Sequence, residues 1–216
     1  MNGATTSSAP RPNVRRGRVD KRQAILAAAF RVFARTGYDQ SCVREIAAEA
    51  GVAKPTIYNH LLDKEALFHE AMRAAAHDTF AEALTALDQL RAPEADTYAM
   101  LEKVGHHLLR CHCDERSWAL RRLLHAEVTR FPSLVEAIHQ EGEQRVRHAL
   151  ADRLARLALT GRLRTDDPDM AAEQFLALLT GPMEVRSGLG TRQVPDTETH
   201  AVVRAAVETF LRAYGT

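Results

Sequence analysis

Hydrogen-bonding side chains are concentrated in one short segment near the N-terminus of the chain. Between residues 54 and 60 they are Lys54, Thr56, Tyr58, Asn59 and His60. If this segment is helical, Ile57 and Leu61 lie one turn apart and can face a core while the polar side chains point outward. The major groove of DNA admits one helix, and that helix needs donors and acceptors on its outer face. The residue types and their spacing therefore favour a helix that binds DNA.

The residues before this segment predict the rest of a helix-turn-helix. We expect a helix that Ser41 caps and that runs to residue 50, then a turn at 51–53 and a second helix over 54–61. Gly51 suits the left-handed conformation that such a turn needs. This layout positions the polar segment as the second, DNA-reading helix.

Several spaced motifs lie between Arg22 and Met72. They are TGY, then a capping hydroxyl at Ser41, then IAAEAGV, KPTIYNH and KEALF. In this order and spacing the segment resembles the DNA-binding domain of the TetR/AcrR family of bacterial repressors. The resemblance implies a homodimeric, ligand-responsive repressor. Such a protein releases a palindromic operator in double-stranded DNA when it binds a small apolar effector.

The resemblance also implies roles for individual side chains at the DNA interface. Phosphate contacts are expected from Thr56, Tyr58, His60 and Lys64. Base-edge contacts are expected from Arg44, Lys54, Pro55 and Asn59, and the Ser41 hydroxyl belongs to the same set. An alternative for Tyr58 is that its ring packs into the small core. Three residues depart from the family pattern without removing a DNA-contacting type, and they are Cys42, Ala53 (a weak N-cap) and Leu61.

The charges of the chain are unevenly distributed. The whole chain has a net charge of +1, but residues 1–62 contain ten Lys/Arg and four Asp/Glu, a net charge of +6. The remaining nineteen basic and twenty-four acidic residues give −5. A basic end on an acidic body suggests contact with a polyanion, although a solvated tail would give the same distribution. Residues 1–18, rich in Ser, Pro, Gly and Arg, are expected to form a disordered basic arm.

Hydrophobic periodicity after the arm predicts helices and no strands. We expect an all-α fold with a three-helix helix-turn-helix domain at residues 19–65 and a larger helical ligand-binding and dimerisation domain at 66–216. The first helix is expected to start after Asp20 and to stop at Gly37, and Asp63 is expected to cap a long helix that joins the domains. The helices expected from there are 64 to about 90, Glu94–Arg110, Glu115–Thr129, Pro132–Thr160, Pro168–Gly188 and Asp196–Tyr214.

Composition argues against several other classes of protein. No stretch reaches the roughly 18 consecutive apolar residues of a membrane span, and no apolar run follows the basic N-terminus as in a secretory signal. Three Cys are too few for a disulfide framework and fit a reducing compartment. We therefore expect a cytoplasmic protein with no membrane partner, no cofactor and no catalytic residues.

The central helices contain an apolar set with scattered polar groups, as small-molecule pockets do. The expected pocket residues are Phe80, Met100, His107, Cys111, Trp118 and His125. On a helix, His107 and Cys111 share a face, so an alternative is a metal- or thiol-sensing regulator that uses Cys111, His112 and Cys113. An enzyme with a Cys nucleophile is a further alternative, but neither a base nor an oxyanion site is evident beside it.

Two apolar stripes near the C-terminus can serve either the monomer core or a dimer. One contains Phe175 and the other Phe210, each at helical spacing in the last two expected helices. Paired helices of this kind can form a four-helix bundle across a two-fold axis. A homodimer also suits a helix-turn-helix, because two reading helices then meet two half-sites.

Overall fold

A computed structural model of the protein describes residues 14–59, 61–91 and 96–216, and across these ranges the regular elements are helices, without a strand. The α-helices are α1 (Val14–Gln40), α2 (Val43–Glu49), α3 (Lys54–Tyr58), α4 (Lys64–Leu87), α5 (Thr97–Cys113), α6 (Glu115–Glu127), α7 (Pro132–Ile138), α8 (Gln144–Leu159), α9 (Pro168–Ser187) and α10 (Asp196–Tyr214). The predicted all-α class is confirmed, and α10 has the predicted bounds. None of the described helices is both long and apolar enough to cross a membrane.

The start of α1 was predicted wrongly. The helix begins at Val14, upstream of the start expected after Asp20, so residues 14–18 of the expected arm are helical, while residues 1–13 lie outside the described part. Arginine is a good helix former, and no proline interrupts the chain between Val14 and Gly37, so the helix can extend beyond the capping residue. Gly37 leaves helical geometry with φ 75°, which confirms the predicted stop, although helical turns resume as far as Gln40.

The N-cap of α2 is Cys42, not Ser41 as predicted. The Cys42 Sγ accepts a hydrogen bond from the Glu45 N–H at 3.4 Å. Ser41 is buried, and its hydroxyl donates to the Tyr38 carbonyl at 2.6 Å. The helical turns after Gly37 displace the start of α2 by one residue, and the Ser41 hydroxyl then closes the preceding turn.

The caps of the next two helices follow the sequence signals more closely. Ala53 caps α3 without a side-chain hydrogen bond, as expected, and α3 ends at Tyr58, earlier than the predicted Leu61. Asp63 caps α4, and its Oδ1 accepts from the Ala66 N–H at 2.7 Å. The α4 helix ends at Leu87 and continues as a 3-10 turn, Asp88–Arg91.

The predicted helix Pro132–Thr160 contains an unpredicted π-helical turn, His139–Glu143, which separates α7 from α8. Gly142 lies in this turn against the ring of Phe80 on α4. A Cβ atom on Gly142 would come within 2.0 Å of the Phe80 Cε2. The absence of a side chain at Gly142 therefore lets the turn contact α4 directly.

The helices pack around two hydrophobic clusters. The N-terminal cluster includes the fully buried Phe33 and Phe68, and it also includes Leu123 and Phe131 from α6 and the start of α7. The C-terminal cluster is built by α5, α8, α9, α10 and the end of α4. The α4 helix belongs to both clusters, because its first half packs in the first and Leu87 packs in the second. The helices of the expected DNA-binding domain therefore share their core with α6 and α7.

Candidate nucleic-acid interface and effector cavity

The α3 helix separates its apolar side chains from its polar ones. Ile57 and Leu61 are only 1% and 7% exposed, so they anchor the segment in the N-terminal cluster. The side chains that the helix exposes are Lys54, Pro55, Tyr58 and Asn59, and Thr56 is half-buried. His60 lies outside the described residues.

Tyr58 stands on the surface of α3. Its side chain is 44% exposed, so the alternative of a core-packed ring gains no support. The Lys54 ammonium lies 5.7 Å from the centroid of the Tyr58 ring, within the range of a cation–π contact. The two side chains therefore form one cationic, hydrogen-bonding surface at the start and end of the helix.

Ion pairs hold α2 against α1. The Arg31 Nε donates to Glu49 at 2.7 Å, and Arg35 donates to Glu45 at 2.8 Å and to Glu49 at 3.1 Å. Hydrogen bonds from Arg31 and Arg35 lower the pKa of the Glu49 carboxyl. Arg44 is exposed on α2 and has no ion pair among the described residues, so its guanidinium is available to an anion.

Lys64, the first residue of α4, packs on the turn that follows Gly37. Its Nζ donates to the Asp39 carbonyl at 3.2 Å and lies 4.7 Å from the Tyr38 ring centroid. Arg130, between α6 and α7, also lies 4.7 Å from that ring and pairs with the Asp39 carboxylate at 2.5 Å. The hydrogen bond that Arg130 donates to this carboxylate raises the pKa of Arg130. One turn thus connects the start of α4 with the segment between α6 and α7.

A cavity of about 540 Å³ lies where the two hydrophobic clusters meet. Leu120 and Ile138 of the N-terminal cluster and Leu108 and Val146 of the C-terminal cluster line it. Its other lining residues are Thr79, Phe80, Ala83, Cys111, His112, Ser117, Arg121, Leu124, His125, Val135, Glu136, His139, Glu143, Leu176, Thr180 and Glu184. This volume is within the range of pockets that take drug-sized organic molecules.

The structure brings together three of the six residues predicted for the pocket, namely Phe80, Cys111 and His125. Met100 does not line the cavity, because its side chain is packed in the C-terminal cluster. His107 and Trp118 line a second cavity of about 960 Å³ instead. Cys111 lines both cavities, so α5 lies between them. His107 shares a helical face with Cys111 but lines the second cavity, so that shared face did not predict the cavity correctly.

Arg121 was not among the predicted pocket residues, yet its side chain lines the first cavity. Its guanidinium lies 4.0 Å from the centroid of the Trp118 ring. The one available signal was spacing, because Trp118 and Arg121 are three residues apart and share a face of α6. An arginine at that position also suits an exposed surface, so spacing alone does not place it in a cavity.

The structure gives no support to the metal- or thiol-sensing alternative. Within residues 14–59, 61–91 and 96–216, no group of three or more His, Cys, Asp or Glu is placed to hold a metal ion. Burial raises the pKa of the Cys111 thiol and raises that of Cys113 to about 11. Both thiols are therefore protonated at neutral pH, whereas metal binding and oxidation use the thiolate.

Comparisons with known proteins agree along most of the chain. The family described as "Bacterial regulatory proteins, tetR family" matches residues 25–71, and "AefR-like transcriptional repressor, C-terminal domain" matches residues 99–216. The HTH-type transcriptional repressor AcnR of Corynebacterium efficiens is 29% identical over 194 residues, which cover 90% of this chain and 94% of that protein.

Solved structures share the fold. A protein from Mesorhizobium loti described as a TetR-family transcriptional regulator superposes with a TM-score of 0.85 at 30% identity, covering 92% of this chain and 98% of that one. The Flavonoid-responsive Regulator FrrA superposes with a TM-score of 0.71 at 26% identity, covering 91% and 98% of the two chains.

Proposed function

The chain belongs to the TetR family of bacterial regulatory proteins, and from that premise we propose that it is a ligand-responsive transcriptional repressor. In this proposal a homodimer binds a palindromic operator and leaves it when a small organic molecule enters the cavity of about 540 Å³. The observation that carries the proposal is the α4 helix, which begins at Lys64, shortly after α3 ends at Tyr58, and contributes Phe80 to the cavity.

The exposed face of the helix-turn-helix supplies the DNA contacts in this proposal. Arg44, Lys54, Pro55 and Asn59 meet base edges, because an Arg or Lys matches guanine and an Asn matches adenine in hydrogen-bonding geometry. The phosphate contacts come from Thr56, Tyr58, His60 and Lys64. The Ser41 side chain acts indirectly, since its hydroxyl is already bonded to the carbonyl that precedes α2.

A stripe on α9 is the surface that we assign to the dimer. Phe175 and Phe210 pack in the monomer's own cluster and are 0% and 1% exposed, so neither lies at a dimer seam. The outward stripe contains Met170, Ala177, Gly181 and Val185, and of these Met170 is 45% and Val185 86% exposed. A Cβ atom on Gly181 would meet nothing within 4 Å, so a second helix can approach closely there.

The dimer assignment is tested by Val185→Glu. Burying an unpaired carboxylate at the seam costs several kcal/mol, so sedimentation should show a folded monomer at micromolar concentration. Leu159→Glu on α8 is the matched control, because Leu159 is 88% exposed and lies off the stripe. A Val185→Glu protein that stays as dimeric as the control would refute the seam.

Two structural routes can transmit the effector signal from the cavity to DNA. The α4 helix is continuous from Lys64 to Leu87 and can transmit a tilt from Phe80 to its DNA-proximal end. The α6 helix lines the cavity with Leu120 and leads to Arg130, which pairs with Asp39. FrrA is named as flavonoid-responsive, which supports an effector role for the corresponding domain here. An effector acts only if it binds the DNA-incompetent state more tightly than the DNA-binding state.

The proposal is tested by fluorescence anisotropy and footprinting with DNA that flanks the gene. We expect the wild-type protein to protect two half-sites related by two-fold symmetry and about one helical turn, or a multiple of it, apart. The variant Lys54→Ala/Tyr58→Ala/Asn59→Ala should lose this protection while retaining its helical circular dichroism, because the three side chains are exposed. Equal protection by the triple variant would contradict the proposed interface.

A further inference from the structure

The cavity of about 540 Å³ contains a cation without an acidic partner. The Arg121 guanidinium donates through Nη2 to the His112 carbonyl at 2.5 Å and through Nη1 towards the His112 Nδ1 at 3.4 Å. Within the described chain no carboxylate lies within ion-pair distance of Arg121, and its Nε is buried without a hydrogen-bond partner. One donor of a charged group is therefore unsatisfied, which is unfavourable in a partly buried site.

His112 places a second unsatisfied donor beside the first. Its Nδ1 faces Arg121, which can only donate, so the ring proton belongs on Nε2. Burial lowers the pKa of His112 to about 3, so the ring is neutral and carries one proton at neutral pH. Nε2 is buried and has no hydrogen-bond partner. The two side chains thus offer two donors and need an acceptor.

The buried lining residues are mostly apolar, the buried Ser117 hydroxyl donates to the Cys111 carbonyl, and the acidic residues lie at the surface. Leu108, Leu120, Ile138 and Val146 are buried. The acidic lining residues are all exposed, and they are Glu136, Glu143 and Glu184. A ligand that suits this arrangement has one anionic group for the buried donors, an apolar body, and no second negative charge near the acidic residues.

We infer that the cavity binds an organic monocarboxylate with an apolar body, and that the carboxylate accepts hydrogen bonds from Arg121 and His112. A carboxylate has two oxygens and several lone pairs, so it can satisfy both donors at once and neutralise the guanidinium. Both nitrogens are buried, so binding requires an adjustment of these side chains. The inference rests on the proposed function, since it names the chemical class of the effector.

Isothermal titration of the full chain with a matched compound series tests the inference. The probes are octanoate, decanoate and phenylbutyrate, each beside the primary alcohol and the primary amine of the same body. We expect the carboxylates to bind roughly 10- to 100-fold more tightly than the alcohols, as hydrogen bonds to charged groups imply. Equal affinity of wild-type protein for carboxylate and alcohol, or no carboxylate binding, would overturn the inference.

Variants locate the preference within the cavity. Arg121→Gln should bind carboxylate and alcohol equally, and Arg121→Lys should retain part of the preference, because a lysine keeps the charge but not the Nε donor. Arg122→Gln is the matched control, since Arg122 donates to the Leu189 carbonyl at 3.0 Å and does not line the cavity. A carboxylate preference that survives Arg121→Gln would overturn the inference. The wild-type series decides it even if this variant fails to fold.

DNA anisotropy with the same compounds separates this inference from the proposed function. Carboxylates that bind with the expected preference but leave DNA bound would support the cavity assignment and contradict the repressor proposal. Release of DNA by an alcohol or an amine, without a carboxylate preference, would support the repressor proposal and overturn the inference.

Discussion

The two hydrophobic clusters differ in how completely they fill the space between their helices. In the N-terminal cluster the Phe68 ring packs edge to face or tilted against Phe33, Tyr38 and Phe131, with centroids 4.9 to 5.4 Å apart, and Phe33 stacks on Tyr38 at 6.1 Å. At the border with the C-terminal cluster, a cavity of about 540 Å³ remains, with unsatisfied nitrogens on Arg121 and His112. A closely packed region holds α3 in one orientation, whereas a region that contains a cavity can adjust to a ligand.

The largest expected effect tests the packed side of this contrast. Phe68→Ala removes a fully buried ring at the centre of the N-terminal cluster and should lower the free energy of unfolding by about 3–5 kcal/mol. Phe80→Ala is the comparison, because Phe80 is half-buried and already borders the cavity, and it should cost less than half as much. Urea unfolding of both variants measures the difference. Equal costs would mean that the two regions are packed alike.

A pH titration sharpens the contrast from the cavity side. Burial keeps His112 neutral with a pKa of about 3, below the ordinary value of 6.5, so between these values the unfolded chain binds a proton that the folded chain does not. The contribution of His112 to the free energy of unfolding is therefore fully present above pH 6.5, and it is lost as the pH is lowered towards 3. At pH 5 the loss should be roughly 2 kcal/mol. In His112→Phe the free energy of unfolding should therefore change less between pH 6.5 and 5 than in the wild-type protein. The same pH dependence in both proteins would contradict a buried, neutral His112 ring.

Substitution of Lys64 tests whether the region around the N-terminal cluster also contacts the phosphates of DNA. Removing one lysine–phosphate contact in Lys64→Ala should lower the slope of log affinity against log salt by about one. The lysine also donates to the Asp39 carbonyl, so circular dichroism and a thermal melt must first show that the fold is retained. Arg212→Ala, on α10, is a control for removal of one positive charge. A salt slope equal to that of the control would remove Lys64 from the interface.

Local signals in the sequence were sufficient to predict which side chains α3 exposes and insufficient to predict the lining of the cavity. Periodicity and capping predicted that Ile57 faces inward, that Tyr58 faces outward and that Asp63 caps α4, because each of these depends on a few neighbouring residues. The choice of Cys42 over Ser41 as the cap depended on where the preceding helical turns end, and these resume after Gly37 and continue to Gln40.

The lining of the cavity depends on how six α-helices, α4 to α9, pack together, so single-helix patterns did not predict it fully. Met100 and Arg121 show the difficulty. Met100, predicted for the pocket, lies in the core instead, and Arg121 lines the cavity although residue type alone favours an exposed position for an arginine. Gly142 is a similar case, because its importance comes from the approach of Phe80, a residue far away in sequence.

The central claim is that the state of the cavity sets the affinity for DNA, and Ala83→Trp tests it without any added compound. Ala83 lines the cavity from α4, so an indole there occupies space that an effector would fill. Ala81→Trp is the matched control, because Ala81 is exposed on the same helix. With both proteins folded and equally dimeric, anisotropy on the protected DNA should show roughly 5- to 150-fold weaker binding by Ala83→Trp, the usual range of allosteric coupling. Equal DNA affinity of the two variants would contradict the account.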